Sequence, residues 1–219
     1  MQTVKIDLVS DVVCPWCPIG EARLRQAMTQ LADELRFEVE WHPFLLNPDV
    51  PPEGRPILAH LSEKYGRSES EMEASQAEIV AAASELGLDF EQALARRSWN
   101  TFDTHRVLAH AKDHGCDAAM NRALFAAYFG RAENPTDPAV LAPIAESLGL
   151  DGAEVRAILA SDRYSERVRA EIEHWRALGV SSVPSFIVDG RYLLAGAQPP
   201  AALADALRRI ATEEDAERV

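Results

Sequence analysis

The sequence predicts an α/β fold, in the order β-α-β … β-β-α, interrupted by an inserted all-helical domain. Three observations carry this expectation. The first 46 residues read as strand, helix, strand; residues from about 57 to 178 are rich in Ala, Leu and Glu at helical spacing; and SVPSFIVDGRYLLAGA, from Ser182, returns to β-rich composition before a last helix. At 219 residues the chain is long enough for one sizeable core that carries such an insertion.

Each element has a local reason. VKIDLV at 4–9 alternates and runs apolar like a short buried strand, and CPIGEARLRQAMTQLADEL then sets Leu24, Ala27, Met28 and Leu31 at helical spacing. In RFEVEWHPFLL, Phe37, Val39 and Trp41 alternate with charged residues as in a second strand. NPDVPPEGRP, 47–56, holds four prolines and a glycine and reads as a linker, closing an N-terminal half-domain at 1–56. Helices are expected near 57–65, 68–86, 101–114, 117–129, 138–148, 152–160 and 162–178, with the inserted helical domain placed at 57–160. Asp137-Pro138 offers an N-cap followed by proline at the first helical position, and Asp151 with Glu154 makes a capping box. Pro143 should kink or shorten its helix. LGLD occurs at 86–89 and again at 148–151 in unrelated surroundings, a shared helix stop and not a duplication.

The C-terminal half, 161–219, opens on a connecting helix. Phe186, Ile187 and Val188 form a strand, Asp189-Gly190 signals a two-residue hairpin turn, and Tyr192, Leu193 and Leu194 return. PPAALADALRRI closes as a helix, with ATEEDAERV expected as a frayed, solvated tail.

Composition narrows the function. Apolar residues make up 47% and charged residues 26%, ordinary for a globular protein, while a net charge of −13 and a pI near 4.9 exclude a nucleic-acid footprint, which needs clustered Lys and Arg. No run approaches a membrane span, and MQTVKIDLVS lacks an apolar leader core, so a cytoplasmic location is expected. In a reducing compartment three cysteines do not make a structural disulfide framework; a close pair there means catalysis or metal.

That pair is Cys14-Pro15-Trp16-Cys17 at the start of the first helix. First-turn amides lack intrahelical partners and carry partial positive charge, which stabilises a thiolate on Cys14. Cys17, one turn deeper, should be shielded, so Cys14 attacks and Cys17 resolves the mixed disulfide. Pro15 stiffens the turn, and Trp16 offers an apolar platform to a substrate. A zinc site needs two further ligands; His110, His114 and Cys116 are near one another in sequence but do not show a four-ligand pattern, so no metal is expected. In GVSSVPSFIVDG, Pro184 enters a strand. It marks either an edge strand or a cis Val183-Pro184 peptide folded beside the cysteines, leaving the Val183 backbone to pair with substrate.

A strand, a CxxC at a helix start and a late Val-Pro leading into a hairpin and helix resemble the thioredoxin fold. The long helical insertion is similar to that of the DsbA family. DVVCPWCPIG, FLLNP, NTFDTH, GVSSVPSFIVDG and GAQ resemble the FrnE-type branch of cytoplasmic DsbA-like thiol oxidoreductases along almost the whole chain. The resemblance implies an attacking Cys14, a resolving Cys17, a cis Pro184 with Val183 lining a peptide groove, and Trp16 at its rim. Thr104 stands where the branch has alanine and Pro18 where it has an aromatic. Asn100 therefore reads as a helix N-cap followed by helical surface, with substrate contact by Asn100, Thr101 or His105 as the alternative. Cys116 reads as a lone buried cysteine, His42 as a strand-end histidine within reach of the thiols, and Asp11 as either a proton acceptor or a turn cap. The aromatics Trp41, Phe44, Phe125 and Phe129 are assigned to the core.

The expected activity is dithiol–disulfide exchange with a protein or small-molecule thiol or disulfide. It needs no cofactor beyond the Cys14/Cys17 pair, glutathione being one candidate thiol partner, and a homodimer is compatible with the sequence. Two rivals share the architecture: glutathione-dependent transfer or isomerisation of the kappa and hydroxychromene carboxylate isomerase type, in which serine replaces the attacking cysteine, and noncatalytic chaperone-like binding.

Overall fold

β1 (Gln2–Ser10) is the second strand of a four-stranded sheet in the order β2-β1-β5-β6. The computed structural model describes residues 1–217. Val4, Ile6 and Leu8 are buried in β1, and its last three residues are buried on both faces, as befits an inner strand. α1 (Trp16–Gln30) carries the chain to β2 (Leu35–Pro43), which pairs parallel with β1 from Gln2↔Leu35 to Ser10↔Pro43. Leu24, Ala27 and Leu31 face the core as their spacing requires.

β5 (Ser185–Val188) pairs antiparallel with β1 on one side and with β6 (Tyr192–Ala195) on the other. It is an inner strand, which removes the edge-strand reading of Pro184; the proline sits one residue before the ladder begins. The Asp189-Gly190 turn has positive φ at both residues, 50° and 67°, the geometry that a two-residue hairpin needs. Asp189 also ties the turn to β1: its Oδ1 accepts from the Lys5 amide at 2.8 Å.

Seven helices lie between β2 and β5: α2 (Ile57–Tyr65), α3 (Glu69–Ser84), α4 (Phe102–Asp113), α5 (Asp117–Phe125), α6 (Pro138–Ser147), α7 (Gly152–Leu159) and α8 (Ser165–Ala177). This is a thioredoxin fold bearing a helical insertion. Most bounds fall within a residue or two of expectation, and the differences have local causes. The helix expected over 117–129 turns π-helical at Ala126–Gly130. α6 runs through Pro143, because the proline forfeits a single bond, to Ala139 in the first turn, and the helix ends at Ser147, one residue early. Asp151 caps α7 by accepting from the Ala153 amide at 2.8 Å, but Glu154 turns outward to Arg163 at 2.7 Å instead of completing a capping box. The complete box is at Ser68 and Glu71, where α3 begins.

Within the segment read as a linker, Arg55–Pro56 forms a two-residue strand, β3, paired with β4 (Arg97–Ser98). The last helix, α9 (Pro200–Glu217), continues through the segment expected to fray; Arg218 and Val219 lie outside the described residues. One contiguous apolar cluster joins sheet and insertion, from Ile6 and Leu8 through Trp41 and Phe125 to Tyr128 and Phe129. Phe129 stacks on Phe90 at 4.3 Å, and Phe44 packs with Val9 and Trp175 in a smaller cluster.

Candidate active site

The CxxC forms the turn between β1 and α1. The Cys14 amide donates to the Asp11 carbonyl and the Cys17 amide to the Cys14 carbonyl, each at 3.1 Å, which locks the cysteines one turn apart. Pro15 is the N-cap, no side chain caps α1, and no acidic residue stands in its first turn. The partial positive charge of the helix start is therefore left for the Cys14 sulfur. Pro18 falls in this first turn, where an amide has no intrahelical partner, and α1 runs through it unbroken.

The three cysteines are free thiols. Cys14 is 4% exposed and lines a cavity, whereas Cys17 is fully buried behind it. Burial pushes the Cys17 thiol well above its ordinary value. The hydrogen bond and charge of Cys14 push it further, against smaller opposing effects of the Ser10 side chain and the Asp11 backbone. Cys17 thus stays a protonated thiol until its neighbour changes state.

The Val183-Pro184 peptide is cis and lies against this turn. Cys14 Sγ donates to the Val183 carbonyl at 3.4 Å. In the dithiol form that carbonyl therefore accepts one hydrogen bond from the cysteine side chain. A Cβ on Gly20 would come 2.7 Å from Pro184 Cγ, so only glycine lets α1 approach the proline this closely. Cys14, Pro15, Trp16 and Val183 line one cavity of about 490 Å³, with Trp16 39% exposed at its rim.

Beneath the CxxC lies a buried polar cluster. Asp11 has no exposed surface; its carboxylate accepts from the Thr101 hydroxyl and the Leu46 amide at 2.8 Å each, and from the Val13 amide at 3.4 Å. His105 Nε2 bonds the Phe44 carbonyl at 2.9 Å and stands 3.6 Å from Asp11. Asp11 is thus more than a turn cap: it joins the CxxC turn to the segment after β2 and to the start of α4. Asn100 Oδ1 accepts from the Phe102 amide at 3.0 Å, while Thr101 occupies the N-cap position. Thr104 and His105 are buried, not helical surface: the Thr104 hydroxyl donates to the Pro135 carbonyl at 2.8 Å, and His105 faces Phe44 and Asp11.

His42 does not join the cavity. Its Nε2 bonds Asp7 at 2.9 Å, Glu171 lies 3.5 Å from Nδ1, and its ring packs on Trp175 at 4.6 Å. Asp7, Glu40 and His42 bring ligand-type atoms within 4.8 Å of one another, yet Lys112 pairs with Glu40 at 2.7 Å, so internal partners already balance the group. Burial raises the Glu171 carboxyl, but His42, Lys112 and Arg167 outweigh this and hold it at about 2. The His110 and His114 rings lie 4.5 Å apart, tilted by 59°, and Cys116, half-buried, donates to the Ala111 carbonyl.

The insertion and the segment after β2 supply what the sequence did not reveal. Asn47, His60, Lys64, Gln76 and Arg96 line the Cys14 cavity from the segment after β2, from α2 and α3 and from the chain before β4. Lys64 Nζ is held by Asn47 Oδ1 at 2.9 Å. Only the FLLNP string, which contains Asn47, hinted at any of them.

Comparison with known proteins agrees with this fold. An uncharacterized protein of Bacillus subtilis, YwbO, is 28% identical over 188 residues, covering 85% of this chain and 88% of that protein. The crystal structure of a probable DsbA oxidoreductase from Streptomyces coelicolor is similar with a TM-score of 0.87 and 33% identity, over 94% of this chain and 89% of that one. A 2-hydroxychromene-2-carboxylate isomerase shares the fold, with a TM-score of 0.71 at 16% identity over 98% and 99% of the two chains, so the fold alone does not separate the chemistries. A DSBA-like thioredoxin domain matches residues 5–208, and the cysteine pair lies inside that span. With the match extending over nearly its whole length, the chain belongs to the DSBA-like thioredoxin domain family.

Proposed function

We propose that the protein is a cytoplasmic thiol–disulfide oxidoreductase of the FrnE-type branch, acting through a mixed disulfide on Cys14 that Cys17 resolves. One observation carries the reading: Cys14 borders a cavity at a helix start while Cys17 is sealed behind it with its thiol pushed up by burial. The Cys14 thiolate attacks one sulfur of a substrate disulfide; the S–S bond breaks and the departing thiolate takes a proton from solvent. Cys17 then loses its proton and attacks Cys14, forming the intramolecular disulfide and releasing the second thiolate. The reverse sequence oxidises a dithiol client. The FrnE-type assignment, and with it the cytoplasmic location of that branch, is supported by the strings around Cys14, Asn47, His105 and Pro184. Among the described residues no helix is long and apolar enough to cross a membrane.

Titration in thiol redox buffers, followed by mass spectrometry of the alkylated protein, tests the reading. A reversible two-electron couple confined to Cys14 and Cys17 is the expected result. Failure of the pair to form a disulfide in oxidising buffer overturns it and makes glutathione-dependent transfer the reading to examine next.

A further inference from the structure

We propose that the cavity beside Cys14 binds a low-molecular-weight disulfide bearing carboxylate groups, drawn in by Lys64 and the buried Arg96. This rests on the thiol–disulfide reading and names its substrate class.

The first ground is charge. Asp and Glu outnumber Lys and Arg 35 to 22 in the chain, yet no Asp or Glu lines this cavity, whereas Lys64, Arg67 and Arg96 do. The second is Arg96, which is 2% exposed. One guanidinium N–H group donates to Gln76 Oε1 at 2.7 Å and another to the Ala93 carbonyl, its Nε has no partner, and it lies over the Tyr128 and Phe129 rings at 5.7 and 5.1 Å. Among the described residues no carboxylate pairs with it. Tyr128 supplies no counter-charge either, since burial pushes its phenol up to about 12. Besides Tyr128, only Cys14 among the described residues acts on Arg96 with a favourable charge, and only as a thiolate; with Cys14 protonated Arg96 is a buried cation without a counter-ion, a costly state that an anionic ligand relieves.

His60 adds a second buried polar atom without a partner, Nδ1, in the same wall. The third ground is size. A volume of about 490 Å³ suits a small organic molecule, and α2 and α3 wall the cavity opposite Cys14. A carboxylate-bearing disulfide seated there presents its S–S bond to Cys14 and its negative charge to Lys64 and Arg96. The exchange consumes the protein dithiol and one substrate disulfide and yields the Cys14–Cys17 disulfide and two substrate thiols. Electrons and protons balance without a further reactant.

The test compares oxidation rates of the reduced protein by an anionic, a neutral and a cationic small disulfide: 3,3′-dithiodipropionate, 2-hydroxyethyl disulfide and cystamine. Acid quench and mass spectrometry read the Cys14–Cys17 disulfide. At low salt the anionic probe should react about fivefold or more faster than the neutral one, with the cationic probe slowest, against the order that a net charge of −13 alone would impose. Raising the ionic strength to about 0.5 M should compress this order. In Lys64→Gln and in Arg96→Gln the anionic-to-neutral ratio should fall about threefold or more. A cation that only stabilised the Cys14 thiolate would change all three rates alike and leave the ratio untouched. Lys64 is exposed, so its variant carries the test if loss of Arg96 prevents folding. An anionic probe no faster than the neutral one, or a ratio that ignores Lys64→Gln, overturns the proposal while leaving the oxidoreductase intact. If none of the probes oxidises the pair, the thiol–disulfide reading falls and this one with it.

Discussion

Cys14 Sγ donates a 3.4 Å hydrogen bond to the carbonyl of Val183, 169 residues further along the chain. The contact joins the two halves of the fold at the reacting atom. When Cys14 ionises, this donor is lost and the carbonyl turns from acceptor of a thiol proton into a neighbour of a negative sulfur.

The division of labour between the cysteines predicts opposite phenotypes. In a Cys116→Ser background, Cys17→Ser should accumulate a mixed disulfide on Cys14 when treated with a small disulfide, and Cys14→Ser should form none, because Cys17 is sealed and its thiol is pushed up by burial. Intact-mass measurement after acid quench reads both. Equal adduct formation by the two variants would contradict the assignment of attacking and resolving roles.

Gly20→Ala should destabilise the protein although alanine favours helices. The added methyl meets the Pro184 ring at 2.7 Å and the Phe186 ring at 3.3 Å, and neither ring can swing aside as a flexible side chain would. Overpacking of this kind costs about 1–3 kcal/mol, against a helix-propensity gain of up to about 1 kcal/mol. At this chain length each net kcal/mol lowers Tm by about 2–4 °C. Thermal unfolding followed by circular dichroism checks it; an unchanged or raised Tm would mean that the loop yields freely.

Asp11→Ala removes the acceptor of the Thr101 hydroxyl and the Leu46 amide. The buried Thr101 hydroxyl, the part-buried Leu46 amide and the more distant Val13 amide lose their acceptor, and at about 1–3 kcal/mol for each fully buried donor a loss of about 2–4 kcal/mol in urea unfolding is expected. Thr101→Val, which leaves the Leu46 and Val13 bonds in place, should cost less. The reverse order would show that Thr101 and not Asp11 organises the cluster.

Acid sensitivity should centre on Glu171. Its folded value of about 2 lies below the ordinary 4.5, so its interactions contribute stability that is present above about pH 4.5 and lost as pH falls towards 2. At a side chain about a quarter exposed, solvent screening leaves on the order of 1–2 kcal/mol. Glu171→Gln should lower stability at neutral pH and flatten the acid limb, measured by denaturant unfolding at a series of pH values. A parallel acid limb in the variant would place the sensitivity at another carboxylate.

What the sequence determined by itself was whatever short-range physics specifies. The spacing of Leu24, Ala27 and Leu31 makes a helix wherever it docks, Asp189-Gly190 makes a hairpin turn from two residues, and Asp137 caps α6 through the amide two positions on. The CxxC was legible for the same reason, since its helix-start chemistry is built from adjacent residues. Tertiary structure alone decided the rest. Asp11 meets Thr101 across 90 residues, Arg55–Pro56 becomes a strand only because Arg97–Ser98 lies beside it, and Arg96 reaches the Cys14 cavity only once α2 and α3 wall it in. No periodicity or motif records such pairings, because the energy that selects them comes from burying distant segments together, and the buried Arg96 shows its missing counter-charge only in the folded chain.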